Sequence, residues 1–386
     1  MKTKIKNNKS LFSYFKKIIL RNKHKPYSLQ AKIKDIENYK SNITQKLIDK
    51  GVFKNYMPRF LNTDEQYIET VSPEISLYQF QNVQIDIKSS SILLNDELIV
   101  YRSKEERFNE GFVTSHNDEE ARIDIKVKPE KLEDGFFLGG NGSWNWFHFL
   151  IEIMPKLTLF NGNTTTLLVN EIVLEVPSMK KILEIVAGNK FEIKYLNSDK
   201  TYLVQNLYYI NDFNRVQFNR FDGLIKAEGT FYNHEVTRSF SNLILDRLTI
   251  KKDLPEKIFL YRKNTHRIAE NQDQILEYLK NFGFAPVCLE ELSIDEQASY
   301  FQNAKFIIGI SGAAWSNMLF CRSRPKAICF IPDNAKEFSA FSNLSKIFEV
   351  NYYAQLYIND GAHTNSNFMI NFDEFIELFN DLNEKE

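Results

Sequence analysis

The sequence predicts an α/β protein of two domains, and three observations carry this. The chain has 386 residues, of which 43% are hydrophobic, enough material for two cores. From residue 257 onward, short apolar runs alternate with helical patterns, as expected of a parallel sheet covered on both faces. At 306–320 a buried-type strand, Phe306 to Ile310, runs through small residues, Ser311 to Ala314, into Trp315, Met318, Leu319 and Phe320 at helical spacing. Such a strand–turn–helix is an anion cradle: the free N–H groups and dipole of the helix start face the turn, and Gly312 with its two following alanines lets a ligand approach the backbone.

Taken in order, residues 1–40 are lysine-rich, opposed only by Asp35 and Glu37. Leu11, Phe12, Phe15, Ile18 and Ile19 recur there at helical spacing, which suits a short amphipathic helix on an anionic membrane surface or one packed on the protein body. No run approaches the roughly 20 apolar residues of a membrane span, and Lys16 and Lys17 break the one N-terminal apolar stretch, so neither a transmembrane helix nor a signal peptide is expected. Residues 74–127 alternate polar and apolar in short strands. A strand then reaches the glycine-rich turn at 139–142, a helix is expected over 144–160, and strands near 166–169, 191–196 and 202–210 surround a helix at 178–187. A long helix is expected over 232–248. Strands at 257–261, 285–288, 306–310, 326–330 and 352–356 follow, with helices at 271–282, 294–304, after 314, 341–348 and 372–382.

The formal net charge of −1 argues against a general nucleic-acid binder. Cys288, Cys321 and Cys329 lack C-x-x-C spacing and neighbouring histidines, which argues against a zinc site or disulfide framework and fits a reducing cytoplasm.

Two further clusters carry chemistry. On the expected helix at 144–160, Phe147, Leu150, Ile151 and Met154 form an apolar stripe, while Asn145, His148, Glu152 and Lys156 form a polar one. His148 and Glu152 are i,i+4 neighbours, so a carboxylate can orient the imidazole, giving a general base or a phosphate-binding cation. Trp144 and Trp146 beside this stripe read as a site wall, since aromatic rings stack on sugars, or as core. In the second cluster, Arg262 ends a strand, and Arg267 and Asn271 open the next helix; there they face either the ligand crevice of a parallel sheet or solvent.

In these residues the chain resembles glycosyltransferase family 61, the group often described as capsular polysaccharide biosynthesis proteins. Residues 145–157 are similar to the family's N-x-F-H-x-x-x-E-x-x-P-(R/K)-L. Lys257 to Arg262, with Arg267 and Asn271, follows its strand–arginine–arginine–asparagine block. Leu292 to Gln297, leading to 308–320, follows L-S-x-x-E-Q and I-x-G-x-H-G-A-G-L-(S/T)-N-x-x-F. Ser311, Ala314 and Trp315 stand where the family has His, Gly and Leu, and Cys329 stands where an acidic residue is frequent.

The resemblance implies a GT-B architecture of two Rossmann-like domains facing a cleft, here with a basic N-terminal extension. The expected boundaries are 1–70 for the extension, 71–240 for an acceptor-side domain, 241–365 for a nucleotide-sugar domain and 366–386 for a closing helix. It implies an inverting, metal-independent hexosyl- or pentosyltransferase with no cofactor. The donor would be a nucleotide-sugar, UDP-linked, and the acceptor a glycan or lipid-linked saccharide of capsule or other surface polysaccharide synthesis. The expected site is His148, Glu152 and Asn145 for catalysis, with Arg262, Arg267, Asn271, Ser311, Gly312, Ala313, Ser316 and Asn317 around the donor. The expected location is cytoplasmic, peripheral on the inner membrane face. The alternative is a non-catalytic subunit scaffolding a polysaccharide assembly complex. If the basic segment is an anchor, deleting residues 2–25 leaves the fold intact and reduces sedimentation with anionic liposomes; equal sedimentation of the truncated protein would exclude that role.

Overall fold

A computed structural model describes residues 27–100, 106–108, 111–125, 129–140, 142–217, 219–223, 225–263, 267–358 and 367–384. The basic amphipathic segment at 11–19 and its expected membrane contact lie outside the described residues. Among the described residues, no helix is long and apolar enough to cross a membrane.

Two principal sheets organise this mixed α/β chain. The larger has eleven strands. One end of it is a parallel quartet in the spatial order Glu192–Leu196, Thr166–Asn170, Glu130–Phe137 and Tyr202–Ile210, with Glu192–Leu196 at the edge. The last of these pairs antiparallel with the twelve-residue strand Ile75–Asp86, which leads into a remainder that is antiparallel except where Tyr27–Asp35 runs parallel to Glu97–Val100. The second sheet has five strands, all parallel: Ala285–Val287, Lys257–Leu260, Phe306–Ile310, Lys326–Pro332 and Asn351–Tyr357. Numbered along the chain, that order is 2-1-3-4-5. The winding therefore reverses between Lys257–Leu260 and Phe306–Ile310, where such sheets leave a crevice at the carboxyl ends of the strands.

The buried strands read as the sequence implies. Phe306–Ile310 is buried throughout, because helices cover both faces. On one face lie the helices Gln272–Lys280 and Phe372–Glu384, whose Ile275, Leu279, Phe375 and Phe379 meet Phe259, Ile308 and Phe330. The other face belongs to a core shared by both sheets. Leu150, Met154, Ile182 and Phe240 from the first half join Ile307, Trp315, Leu319 and Leu344 from the second in one continuous apolar layer. The halves are thus packed on each other through helices.

Helix limits follow local chemistry. Ser293 and Glu296 form a reciprocal capping box that starts Ile294–Asn303. The helix expected over 232–248 begins later, at His234, because Tyr232 pairs with Asn214 in a short strand and Asn233 caps the helix, accepting from Val236 N. Two expected helices differ in kind. Ala313–Phe320 is a 3-10 helix, and the stretch over 144–160 is broken into short turns, with consequences for the site.

Candidate active site

The broken stretch begins where Asn145 accepts a hydrogen bond from Phe147 N at 2.9 Å and caps the turn Trp146–His148. A π-turn, Phe149–Ile153, follows, closed by Met154 N donating to Phe149 O at 2.9 Å. Pro155 then has no N–H to offer the Ile151 carbonyl four residues back. The Asn214 amide takes that place, donating to Ile151 O at 2.8 Å. Asn214 is fully buried, donates also to Thr237 Oγ1 at 2.9 Å, and accepts from Asn233 N at 2.8 Å. It ties the π-turn to the following helix.

This geometry turns the polar stripe inward. His148 and Glu152 are both buried, with Nδ1 and Oε2 2.7 Å apart. The other carboxylate oxygen of Glu152 accepts from Val216 N at 2.7 Å. Burial pushes the Glu152 carboxyl up, His148 and the Val216 N–H work against that shift, and the nearby Asp212 charge adds to it. Lys156, expected on the same polar face, has no exposed surface. It pairs with Asp212 at 2.5 Å and donates to Gly139 O at 3.3 Å and Tyr209 Oη at 3.2 Å. The stripe is a buried, paired network. Gly142, at φ +67°, closes it from above: a Cβ there would come within 2.7 Å of the His148 ring.

On the second sheet, Arg262 and Ser311 follow the two strands that flank the reversal point. The Arg262 guanidinium donates to Ser311 O at 2.6 Å and Arg267 O at 3.2 Å, holding both loops. Its own backbone is held by Gln272, which accepts from Arg262 N at 2.9 Å and donates to Arg262 O at 3.1 Å. Burial, and next the Arg267 charge, lower the Arg262 pKa. A Cβ on Gly312 would lie 2.2 Å from Arg262 Nη2, so glycine is required for the guanidinium to lie against the turn. Arg267 sits at φ +61°, a left-handed conformation uncommon for its type, and its guanidinium has no partner among the described residues.

The cradle is narrower than the sequence implies. Ser311 N donates to Phe330 O at 2.8 Å within the sheet. The N–H groups of Gly312, Ala313 and Ala314 make no hydrogen bond among the described residues. Trp315 is buried and closes the turn by donating to Ile310 O at 3.0 Å, and Ser316, also buried, donates to Ala313 O at 2.7 Å. Two asparagines expected around the donor have protein partners instead. Asn271 donates to Ile370 O at 2.8 Å and accepts from Ile370 N at 3.1 Å. Asn317 accepts from Trp146 Nε1 at 3.0 Å and donates to Gln297 Oε1 at 2.9 Å.

That last pair of bonds joins the two clusters. Trp146 lies on the His148 turn, Asn317 on the turn that follows the cradle, and Gln297 is anchored by donating to Leu289 O and Leu292 O, each at 3.0 Å. Residues 146–329, which include all of these groups, match the family described as Glycosyltransferase 61. This match supports assigning the region to glycosyltransferase family 61. No curated protein matches the chain. Among solved structures, the bacterial iron-containing dodecameric glycosyltransferase TibC from enterotoxigenic E. coli H10407 aligns at TM-score 0.26 and 10% identity, covering 76% of this chain and 82% of that one. The dodecameric iron-containing heptosyltransferase TibC in complex with ADP-D-beta-D-heptose aligns at TM-score 0.25 and 12% identity over the same shares. At those scores the likeness carries no argument about this chain.

Within the family 61 region, the sequence points to His148, Glu152, Arg262 and Arg267. It gives no sign of Asn214 or Asp212, which lie far from any motif and act on residues about 60 positions away. Gln297 is legible only as part of its family block. Asn214→Ala strands the Ile151 carbonyl in the core and removes its partners' bonds. The expected loss is about 2–4 kcal/mol of stability, read from urea unfolding; a loss below ~0.5 kcal/mol would show that the π-turn does not depend on this amide.

Proposed function

We propose that this family 61 protein transfers a sugar, with inversion, from a UDP-linked donor to a glycan or lipid-linked saccharide acceptor, in the assembly of a bacterial surface polysaccharide such as capsule. The observation that carries the reading is the direct contact between the two clusters: the turn bearing His148 and Glu152 is bonded, through Trp146 and Asn317, to the turn that follows the cradle. In this reading the two halves act as the paired domains of a GT-B enzyme, with 71–240 on the acceptor side and 241–365, closed by 366–386, on the donor side. The reaction takes place on the inner face of the cell membrane.

The geometry supports the following roles. The donor diphosphate sits over the reversal point, against the N–H groups of Gly312, Ala313 and Ala314 and the Arg267 guanidinium. Arg262 shapes that seat from behind. As the bond between the sugar and the diphosphate breaks, its electron pair goes to the diphosphate oxygen, and these donors meet the charge without a metal ion or cofactor. On the opposite face of the sugar, the acceptor oxygen bonds to the anomeric carbon and gives its proton to His148. With Nδ1 held by Glu152, Nε2 is the ring atom that receives it.

Hydrolysis of a nucleotide-sugar panel to free nucleotide tests the reading, alongside thermal shift with UDP, GDP and CMP compounds. A chain that binds no nucleotide and hydrolyses no donor would instead support the scaffolding role. Arg267→Ala is expected to weaken donor binding by about 2–4 kcal/mol; unchanged affinity would remove Arg267 from the site. His148→Ala is expected to lower turnover by about 10²–10⁴-fold with nucleotide affinity within a few-fold. Glu152→Gln costs less if the carboxylate only orients the ring, and comparably if it is itself the base. Near wild-type turnover in both variants would make the pair structural.

A further inference from the structure

A cavity of about 370 Å³ lies beside the turn that leads to His148, lined by Lys88, Gly111, Trp144, Asn170, Ile172 and Ser198. Its position follows from the parallel quartet. Trp144, Asn170 and Ser198 come after or at the carboxyl ends of Glu130–Phe137, Thr166–Asn170 and Glu192–Leu196, the edge where parallel sheets collect ligands. The volume falls within the roughly 300–1,000 Å³ of small-molecule sites.

The side chains fit one kind of occupant. Trp144 is 47% exposed, and its indole N–H has no partner among the described residues. The other two tryptophans are engaged, Trp146 with Asn317 and the buried Trp315 with Ile310 O. A large aromatic face left open beside Ile172 is an apolar platform with a polar edge. Around it stand neutral hydrogen-bonding groups. Ser198 offers a hydroxyl. The Asn170 amide is held in one orientation, accepting from Ile172 N at 3.1 Å and donating to Ser143 Oγ at 3.3 Å. Among the described lining residues Lys88 is the one cation, with Asp199 Oδ1 at 3.9 Å. Gly111 leaves its wall as bare backbone, since a Cβ would strike the Asp86 carboxylate at 2.0 Å. A pyranose ring presents an apolar face of C–H groups and a rim of hydroxyls, which is what this lining complements. One lysine is too little charge for a nucleotide diphosphate.

We propose that this cavity is a subsite for the acceptor saccharide, with a sugar ring stacked on Trp144. The proposal rests on the transferase reading, because it is the link from Trp144 to His148 along a single turn that makes the occupant the acceptor.

The test uses the full chain and three defined probes: maltohexaose, chitohexaose and a hyaluronan hexasaccharide. Trp144 is the exposed tryptophan, so acrylamide quenching of fluorescence reports on it. At least one probe is expected to lower the quenching constant by twofold or more. By calorimetry, Trp144→Ala is expected to weaken that probe by about 10-fold or more, and Trp144→Phe, which keeps a ring, by no more than about threefold. Absence of protection by every probe, or unchanged affinity in Trp144→Ala, overturns the subsite. Donor hydrolysis by the unaltered protein in the same preparation separates the two readings. Hydrolysis without protection overturns the subsite and leaves the transferase. Protection of the unaltered protein together with weakened calorimetric affinity in Trp144→Ala, without hydrolysis of any donor, upholds saccharide binding and counts against the transferase.

Discussion

Both ends of the Asn317 side chain are committed, the oxygen to Trp146 and the nitrogen to Gln297. This amide joins the two clusters directly. The apolar layer between the sheets supplies most of the attraction between the halves, but apolar contact is non-directional and tolerates sliding. A buried amide does not: either end left unpaired would cost on the order of 1–3 kcal/mol, so the chain Trp146–Asn317–Gln297 selects one register. Trp146 precedes His148 by two residues, so fixing the indole also fixes how the His148–Glu152 pair is presented to the second sheet.

A second constraint acts at the reversal point of the five-stranded sheet. Two guanidinium groups lie close enough for one to lower the pKa of the other, and among the described residues no salt bridge to an acidic side chain relieves Arg267. Arg262 is turned towards two carbonyl oxygens, which fixes its plane and draws the loops after Lys257–Leu260 and Phe306–Ile310 together. Arg267 is held in a left-handed backbone conformation. Like charges set side by side on a strained loop, next to N–H groups that have no acceptor among the described residues, form an arrangement that an anion would relax.

Much of the second sheet was legible because fully buried strands have to be continuous apolar runs, and Phe306–Ile310 and Lys326–Pro332 are. The 2-1-3-4-5 order was not, since strand order depends on crossover geometry that no local pattern records. In the site, the His148–Glu152 pair was legible from its spacing. The burial of its face was not. Lys156 carries the signature of a solvated charge, and only Asp212, more than fifty residues on, makes it a core residue. The break in the helix stems from Pro155, which was visible, but the π-turn also needs Asn214 to satisfy Ile151. Asn271 and Asn317 show a limit of another kind. An asparagine next to a crevice looks the same in sequence whether its amide meets a ligand or a neighbouring backbone, and here the partners are Ile370, Trp146 and Gln297.

The buried network also bears on how a base could work in this position. An unpaired carboxylate as deeply buried as Glu152 would be driven to its neutral form, and a neutral carboxyl orients an imidazole only weakly. Two features resist that outcome: His148 on one oxygen and the Val216 N–H on the other. The Asp212 charge works the other way, and Lys156 is its partner. Without the Lys156 ammonium, Asp212 would be a bare buried charge, and its repulsion would raise the Glu152 carboxyl further. The lysine acts on the pair through Asp212, the partner it holds at 2.5 Å. Its burial in the motif is therefore explained by electrostatics as much as by packing, through a partner that the local sequence does not contain.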